Sequence, residues 1–214
     1  MRPSESLMYG KISASMTHEM RNVLATIREA ADLMDDLLKL DQDQAHPHRD
    51  KYLRAVGVIQ KQVKRGVEIS TNFNKFAHTT DEPRAVVEIG EMLSLAANLM
   101  KRLAGLKELT LRVEESEPGL SLTIDPFRLV LTLACGLECC FALGSPAGAI
   151  SLRARQEDRR LAVFIEVDRP AGEFPTDQRL GVLRELLGLV GGDFESFLGE
   201  QAAGVKLVLP LEPQ

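Results

Sequence analysis

No stretch of this chain carries the roughly 20 consecutive apolar residues that a membrane-spanning helix needs. The N-terminus also lacks the basic and then apolar order of a secretory signal. The expectation is a cytoplasmic protein with no membrane contact, whose sensor, if its system has one, belongs to another chain. Basic runs interleaved with aromatics are missing, and the net charge of −5 argues against a general nucleic-acid binder. Cysteine is scarce. Cys135, Cys139 and Cys140 crowd into one apolar segment, odd in number and without a CxxC pair. That pattern fits buried thiols in a reducing compartment and neither a disulfide framework nor a zinc site. There is no internal repeat and no low-complexity tract. The 214 residues suffice for one or two domains with a real core.

What is present begins with a long amphipathic helix predicted over residues 5–41, with Ser4 or Ser6 as its cap. A helix turns by roughly 100° per residue. Met16, Met20, Val23, Ile27 and Met34 fall on one stripe, with Leu24 and Ala31 at its border. His18 lies roughly 200° from Met16, on the opposite side, and Asn22 about 40° further round. A lone exposed histidine on a helix is ordinarily a surface residue. An imidazole held rigidly in solvent can also act as a nucleophile toward phosphorus, with Glu19 beside it to orient the ring or accept its proton. Asn22 stands where a helical zinc-protease motif would need a second histidine, so that reading fails. The His46-Pro47-His48 triplet reads as a polar inter-helix loop broken by proline.

The run Ser15-Met16-Thr17-His18-Glu19-Met20-Arg21-Asn22 resembles the H-box of sensor histidine kinases, with Val23 where that family commonly has proline and Leu24 where it has leucine. The resemblance implies that His18 is the phosphoacceptor, that Glu19 assists phosphoryl transfer and that Asn22 supports a phosphatase activity. Arg21 is placed to steady phosphoryl charge, or is simply a solvated residue on that face.

A second helix is predicted over residues 50–78, with Leu53, Val56, Ile59, Val63, Val67 and Phe73 at three-four spacing. Two long helices joined by a short loop make an antiparallel hairpin that covers only part of each apolar stripe. Pairing two hairpins into a four-helix bundle buries the rest, so a homodimer is expected. The Thr79-to-Arg84 stretch breaks the helix and divides the chain into residues 1–80 and 81–214. The second part predicts helices over 87–103, 126–143 and 180–190. Strands are predicted over 109–113, 121–124, 148–155, 161–167 and 205–209, with a turn at Asp158-Arg159. The fold class is thus mostly α plus an α/β sandwich with helices on one face of a sheet.

The order of these elements resembles the ATP-binding domain of histidine kinases. Asp125-Pro126-Phe127-Arg128-Leu129 looks like the start of its N-box helix, Ile165-Glu166-Val167-Asp168 like the strand into its aspartate box, and Val190-Gly191-Gly192-Asp193 like the turn before the last hairpin. The family's two nucleotide-facing asparagines are replaced by Cys135 and Cys139, and no asparagine occurs after Asn98. Neutral thiols are poor ligands for magnesium, and Glu138 sits one residue off the position. The Asp-x-Gly-x-Gly box reads Asp168-Arg169-Pro170-Ala171-Gly172, where proline removes a glycine and a backbone donor together. The glycine-rich lid is missing between Pro175 and Leu180-Gly181.

The resemblance therefore implies a dimeric histidine phosphotransferase with a vestigial nucleotide site near Cys135, Cys139, Asp168 and Gly172. It would bind no ATP or metal of its own. Its partners would be a response-regulator receiver domain, which supplies Mg2+, and an upstream hybrid or sensor kinase. The alternatives are an active kinase with an atypical ATP site, or a non-catalytic adaptor or phosphatase for a receiver.

Overall fold

The computed structural model describes residues 1–40, 49–115, 117, 119–168, 170, 177–199 and 202–211. The His46–His48 triplet and Gly172 lie outside the described residues. Two long helices come first, α1 (Pro3–Leu40) and α2 (Arg49–His78). The remainder runs β1 (Ala85–Glu88), α3 (Ile89–Gly105), β2 (Thr110–Val113), β3 (Ser121–Ile124), α4 (Pro126–Phe141), β4 (Ala149–Glu157), β5 (Arg160–Val167), α5 (Asp177–Leu189), β6 (Asp193–Leu198) and β7 (Ala203–Pro210). Contacts divide the chain into two compact units. One is residues 14–73. The other joins residues 1–13 to residues 74–214. Among the described residues no helix is long and apolar enough to cross a membrane.

In the unit of residues 14–73, Gly66 explains how closely the helices approach. A side-chain carbon there would lie 3.3 Å from Val23 Cγ1, so at this level α2 presents bare backbone to α1. Ala30 and Leu37 continue the buried side of α1, and Ala55 and Ile69 that of α2. The hairpin covers only part of the stripe predicted for α2: Ile59 is half-buried, while Leu53, Val56, Val63 and Val67 stay exposed.

The larger unit is built on a mixed five-stranded sheet of order β2-β4-β5-β7-β6, with β1 and β3 paired separately. Only β2 and β4 run parallel, from Thr110↔Ala149 to Val113↔Leu152. Asp125 caps α4 by accepting from the Arg128 amide at 3.0 Å, and Pro126 follows at the first helical position, where its missing N–H costs nothing. The tight β4–β5 turn falls at Asp158, which takes a left-handed φ of 53°. Leu133, Leu137, Ile165, Val205 and Leu207 are fully enclosed between α4 and the sheet. Around Phe164 the cover is charged instead. Arg153, Arg155 and Lys206 stand 4.2, 4.7 and 5.7 Å from its ring centroid. Arg153 is held there by a two-pronged pair with Glu166 at 3.1 and 3.0 Å.

One helix start moves to admit a strand. Residues 85–88 form β1, which pairs antiparallel with β3, and the helix read from 87 begins at Ile89. Glu88 closes that start by accepting from the Glu91 amide at 2.6 Å. Glutamate is not a preferred capping residue, which is why the boundary carried no sequence signal. Strand β6, given no span by the residue pattern although the resemblance put a hairpin after Asp193, pairs with β7 from Asp193↔Val208 to Leu198↔Ala203.

Candidate functional site

The α1 helix fixes the first candidate site by its period. Met16 and Val23 are 3% and 2% exposed, whereas His18, Arg21 and Asn22 all stand open to solvent. Glu19 behaves differently from its neighbours. Its side chain is only 12% exposed and accepts from Arg65 Nη2 of α2 at 2.7 Å. A carboxylate so far withdrawn from water needs such a partner, and the paired form is the one that survives there. The structure thus joins Glu19 to Arg65, a residue 46 positions away that sequence reasoning missed. Helix-to-helix register decides that pairing, and no local pattern reports it.

Beside the site, α1 leaves Leu24 and Leu38 exposed at 58% and 57%, with the exposed Ala31 seven residues from each. With Leu53, Val56, Val63 and Val67 of α2, these form apolar faces that nothing in the chain covers.

The second candidate site lies on α4. Cys135 and Cys139, one helical turn apart, are both buried free thiols. The Cys139 sulfur beside it and burial push the Cys135 thiol far above its ordinary range, while the same neighbour holds Cys139 below its own. Burial also raises Cys140, which donates to the Ile165 carbonyl at 3.4 Å. Asp168 is engaged as well. Its Oδ1 accepts from the Ala149 amide at 2.8 Å, and its own amide donates to the Ala149 carbonyl at 3.1 Å. Immediately beyond it, Pro170 forms a bridge with Gly144. Glu138, read as a spare carboxylate, is ion-paired with Lys11. Among the described residues no group of three or more His, Cys, Asp or Glu is placed to hold a metal ion.

The Lys11 contact belongs to a larger docking of the chain start onto α4. Arg128 Nε donates to Glu5 Oε1 at 2.9 Å, and Tyr9, Phe76 and Phe127 stack with ring centroids 5.8 to 6.1 Å apart. Burial pushes the Glu5 carboxyl up, but the Arg2 amide and the Arg128 guanidinium outweigh it and hold it below its ordinary value.

No protein-family model matches the chain. No curated protein matches it either. Solved structures do. The catalytic domain of the histidine kinase ThkA is matched over its whole length and 62% of this chain, at a TM-score of 0.53 and 14% identity. The Acinetobacter baumannii histidine kinase AdeS is matched over 98% of its chain and 91% of this one, at 0.51 and 9%. A histidine kinase from Burkholderia phymatum is matched over 99% of both chains, at 0.51 and 12%. At these identities the likeness is one of fold, and the fold is histidine-kinase-like.

Proposed function

We propose that this histidine-kinase-like chain is a dimeric histidine phosphotransferase that exchanges a phosphoryl group between His18 and the aspartates of response-regulator receiver domains. One contrast carries the reading. His18 is presented to solvent on a long helix, while the α4 positions that would serve a magnesium–nucleotide hold two buried free thiols. Magnesium takes oxygen ligands, and neutral thiols do not supply them. Asp168 accepts from the Ala149 amide through one oxygen and keeps the other, so it is the thiols and not this residue that speak against a nucleotide.

In the forward step the distal nitrogen of neutral His18 attacks the acyl phosphate of the donor receiver. The N–P bond forms, the O–P bond to the aspartate breaks, and the aspartate leaves as a carboxylate. Glu19 is the adjacent carboxylate that orients the ring and, as a base, takes up the proton its other nitrogen releases. Arg21 faces solvent on the same helix and can neutralise phosphoryl charge. Asn22 positions a water for the hydrolytic branch. The receiver's own acidic pocket brings Mg2+. The upstream kinase and the acceptor receiver are separate cytoplasmic partners.

The uncovered faces of α1 and α2 support the dimer. Replacing Leu24 and Val63 together by aspartate is expected to convert a species of twice the chain mass into a monomer in sedimentation velocity, since charges cannot enter an apolar four-helix core. A parent protein that sediments as a monomer removes the dimer from the reading.

The relay itself is tested with labelled phosphate. Label offered as γ-labelled ATP alone is expected to leave the protein blank. Label offered on a phosphorylated receiver is expected to appear as an acid-labile species. Uptake from ATP alone makes the protein a kinase. No uptake from any phosphorylated receiver leaves the adaptor.

A further inference from the structure

We propose that Lys51, Arg54 and Lys61, on the α2 rim of the groove between α1 and α2, select the receiver by taking carboxylates on its surface. The inference rests on the phosphotransferase reading and goes beyond it, to the residues that choose the partner. The Glu19–Arg65 pair, at 2.7 Å, marks the groove. It crosses from helix to helix on the side of the buried seam away from Leu24 and Val63. A turn of roughly 100° per residue places the rest. On α2, Lys51, Arg54, Val58 and Lys61 all fall within about 40° of Arg65. On α1, Leu33 falls within about 40° of Glu19, and Asn22 lies between Glu19 and His18.

The groove is open along this line. Lys51, Arg54 and Lys61 are exposed, as are Leu33 at 50% and Val58 at 41%. Leu33 stands about 180° around α1 from Leu24, so hairpins paired through their apolar faces leave it outside. The strip from Arg65 to Lys51 runs for about 20 Å along α2, a length suited to a contact of about 800 Å² per partner.

Charge names the occupant. The chain carries a net −5, yet among the described residues Lys51, Arg54 and Lys61 have no ion pair. The acids of α1 nearest in height, Glu29, Asp32 and Asp36, lie about 80° or more round from Glu19, turned out of the groove. Unpaired cations beside a phosphoacceptor fit a partner that brings carboxylates, and they hasten its approach.

The test compares full-length wild type with the charge-reversed triple variant Lys51→Glu, Arg54→Glu, Lys61→Glu and the charge-keeping variant Lys51→Arg, Arg54→Lys, Lys61→Arg. Two donors are used. One is the receiver domain that labels wild type fastest, charged with radiolabelled acetyl phosphate. The other is radiolabelled phosphoramidate, a small donor to histidine that needs no docking. At low salt the charge-reversed variant is expected to lose about tenfold in kcat/KM with the receiver, through KM, while kcat stays within about twofold. The deficit should fall below about threefold near 1 M salt, where charges are screened within about 3 Å. The charge-keeping variant should match wild type, and all three proteins should take label from phosphoramidate at one rate.

An undiminished kcat/KM in the charge-reversed variant, or a deficit that survives high salt, overturns the proposal. Slower labelling by phosphoramidate overturns it too, because the damage then lies in the helix or at His18. If wild type takes label from phosphoramidate but from no receiver, the phosphotransferase reading falls and the docking role with it. If wild type is labelled by the receiver and charge reversal changes nothing, the assignment of Lys51, Arg54 and Lys61 alone falls.

Discussion

His18→Ala is expected to abolish acid-labile phosphate uptake from a phosphorylated receiver while leaving the protein folded. Both halves of that result follow from the position of the residue. The side chain is exposed on α1 and supports no buried contact, so its removal should change stability by no more than about 0.5 kcal/mol. The N–P bond, by contrast, needs this imidazole under the phosphoacceptor reading. Of the remaining histidines whose surroundings are described, His78 is tied to Asp81 at 2.7 Å, three residues along. The measurement is autoradiography after a timed exposure to labelled receiver, with far-UV circular dichroism as the folding control. Full uptake by the variant would move the phosphoacceptor off His18. Retained loss of phosphate from the receiver, without label on the protein, would point to the hydrolytic branch, where Asn22→Ala should then be the more damaging change.

The largest effect on stability is expected from Gly204→Ala. Gly204 sits in β7 opposite Glu166 of β5, inside the sheet. A side-chain carbon there would stand 2.0 Å from the Ile165 carbonyl oxygen, 3.0 Å from its carbon and 3.1 Å from the Glu166 Cα. All three atoms are backbone, so no side chain can swing aside. The two central strands must separate, and the cost is put at about 3 kcal/mol or more. That is a large part of the roughly 5–15 kcal/mol that holds a domain folded. Gly181→Ala is the matched control. It lies on an exposed position of α5 with nothing within 4 Å, and alanine there should stabilise by up to about 1 kcal/mol. Urea midpoints separate the two, and equal midpoints would refute the steric argument.

The helices and the outward face of His18 were legible in the sequence because their signal is local and periodic. Met16 and Val23 recur on one side of α1, and every residue between them is placed by that rhythm. The predicted strands within residues 109–124 and 148–167 were readable for the same reason, as was the turn at Asp158. What could not be read depends on how distant segments meet. Arg65 lies beside Glu19 only because α2 packs on α1 in one register, and the sequence at 65 looks like any solvated basic residue. Within one chain α2 buries Ala55 and Ile69, while Leu53, Val63 and Val67 of the predicted stripe stay exposed, as a hairpin that covers only part of each stripe leaves them. Strand β1 was hidden by its four-residue length and by an atypical glutamate cap, and β6 by a pattern that leaves it only half buried at the sheet edge. At α4 the replacement of asparagine by cysteine was visible. The ion pair that takes up Glu138 was not, since its partner Lys11 comes 127 residues earlier.

That separation has a consequence for how the protein is made. The first turns of α1 leave the ribosome before the segments they pack on, and Glu5 and Lys11 find Arg128 and Glu138 only 123 and 127 residues later. At a translation rate of about 5–20 residues per second, they wait on the order of 6 to 25 seconds for those partners. Until then Tyr9 has Phe76 to stack on but not Phe127. The α/β unit is therefore closed by residues made long before α4, and a fragment that starts after the helical hairpin is deprived of the segment that pairs with α4.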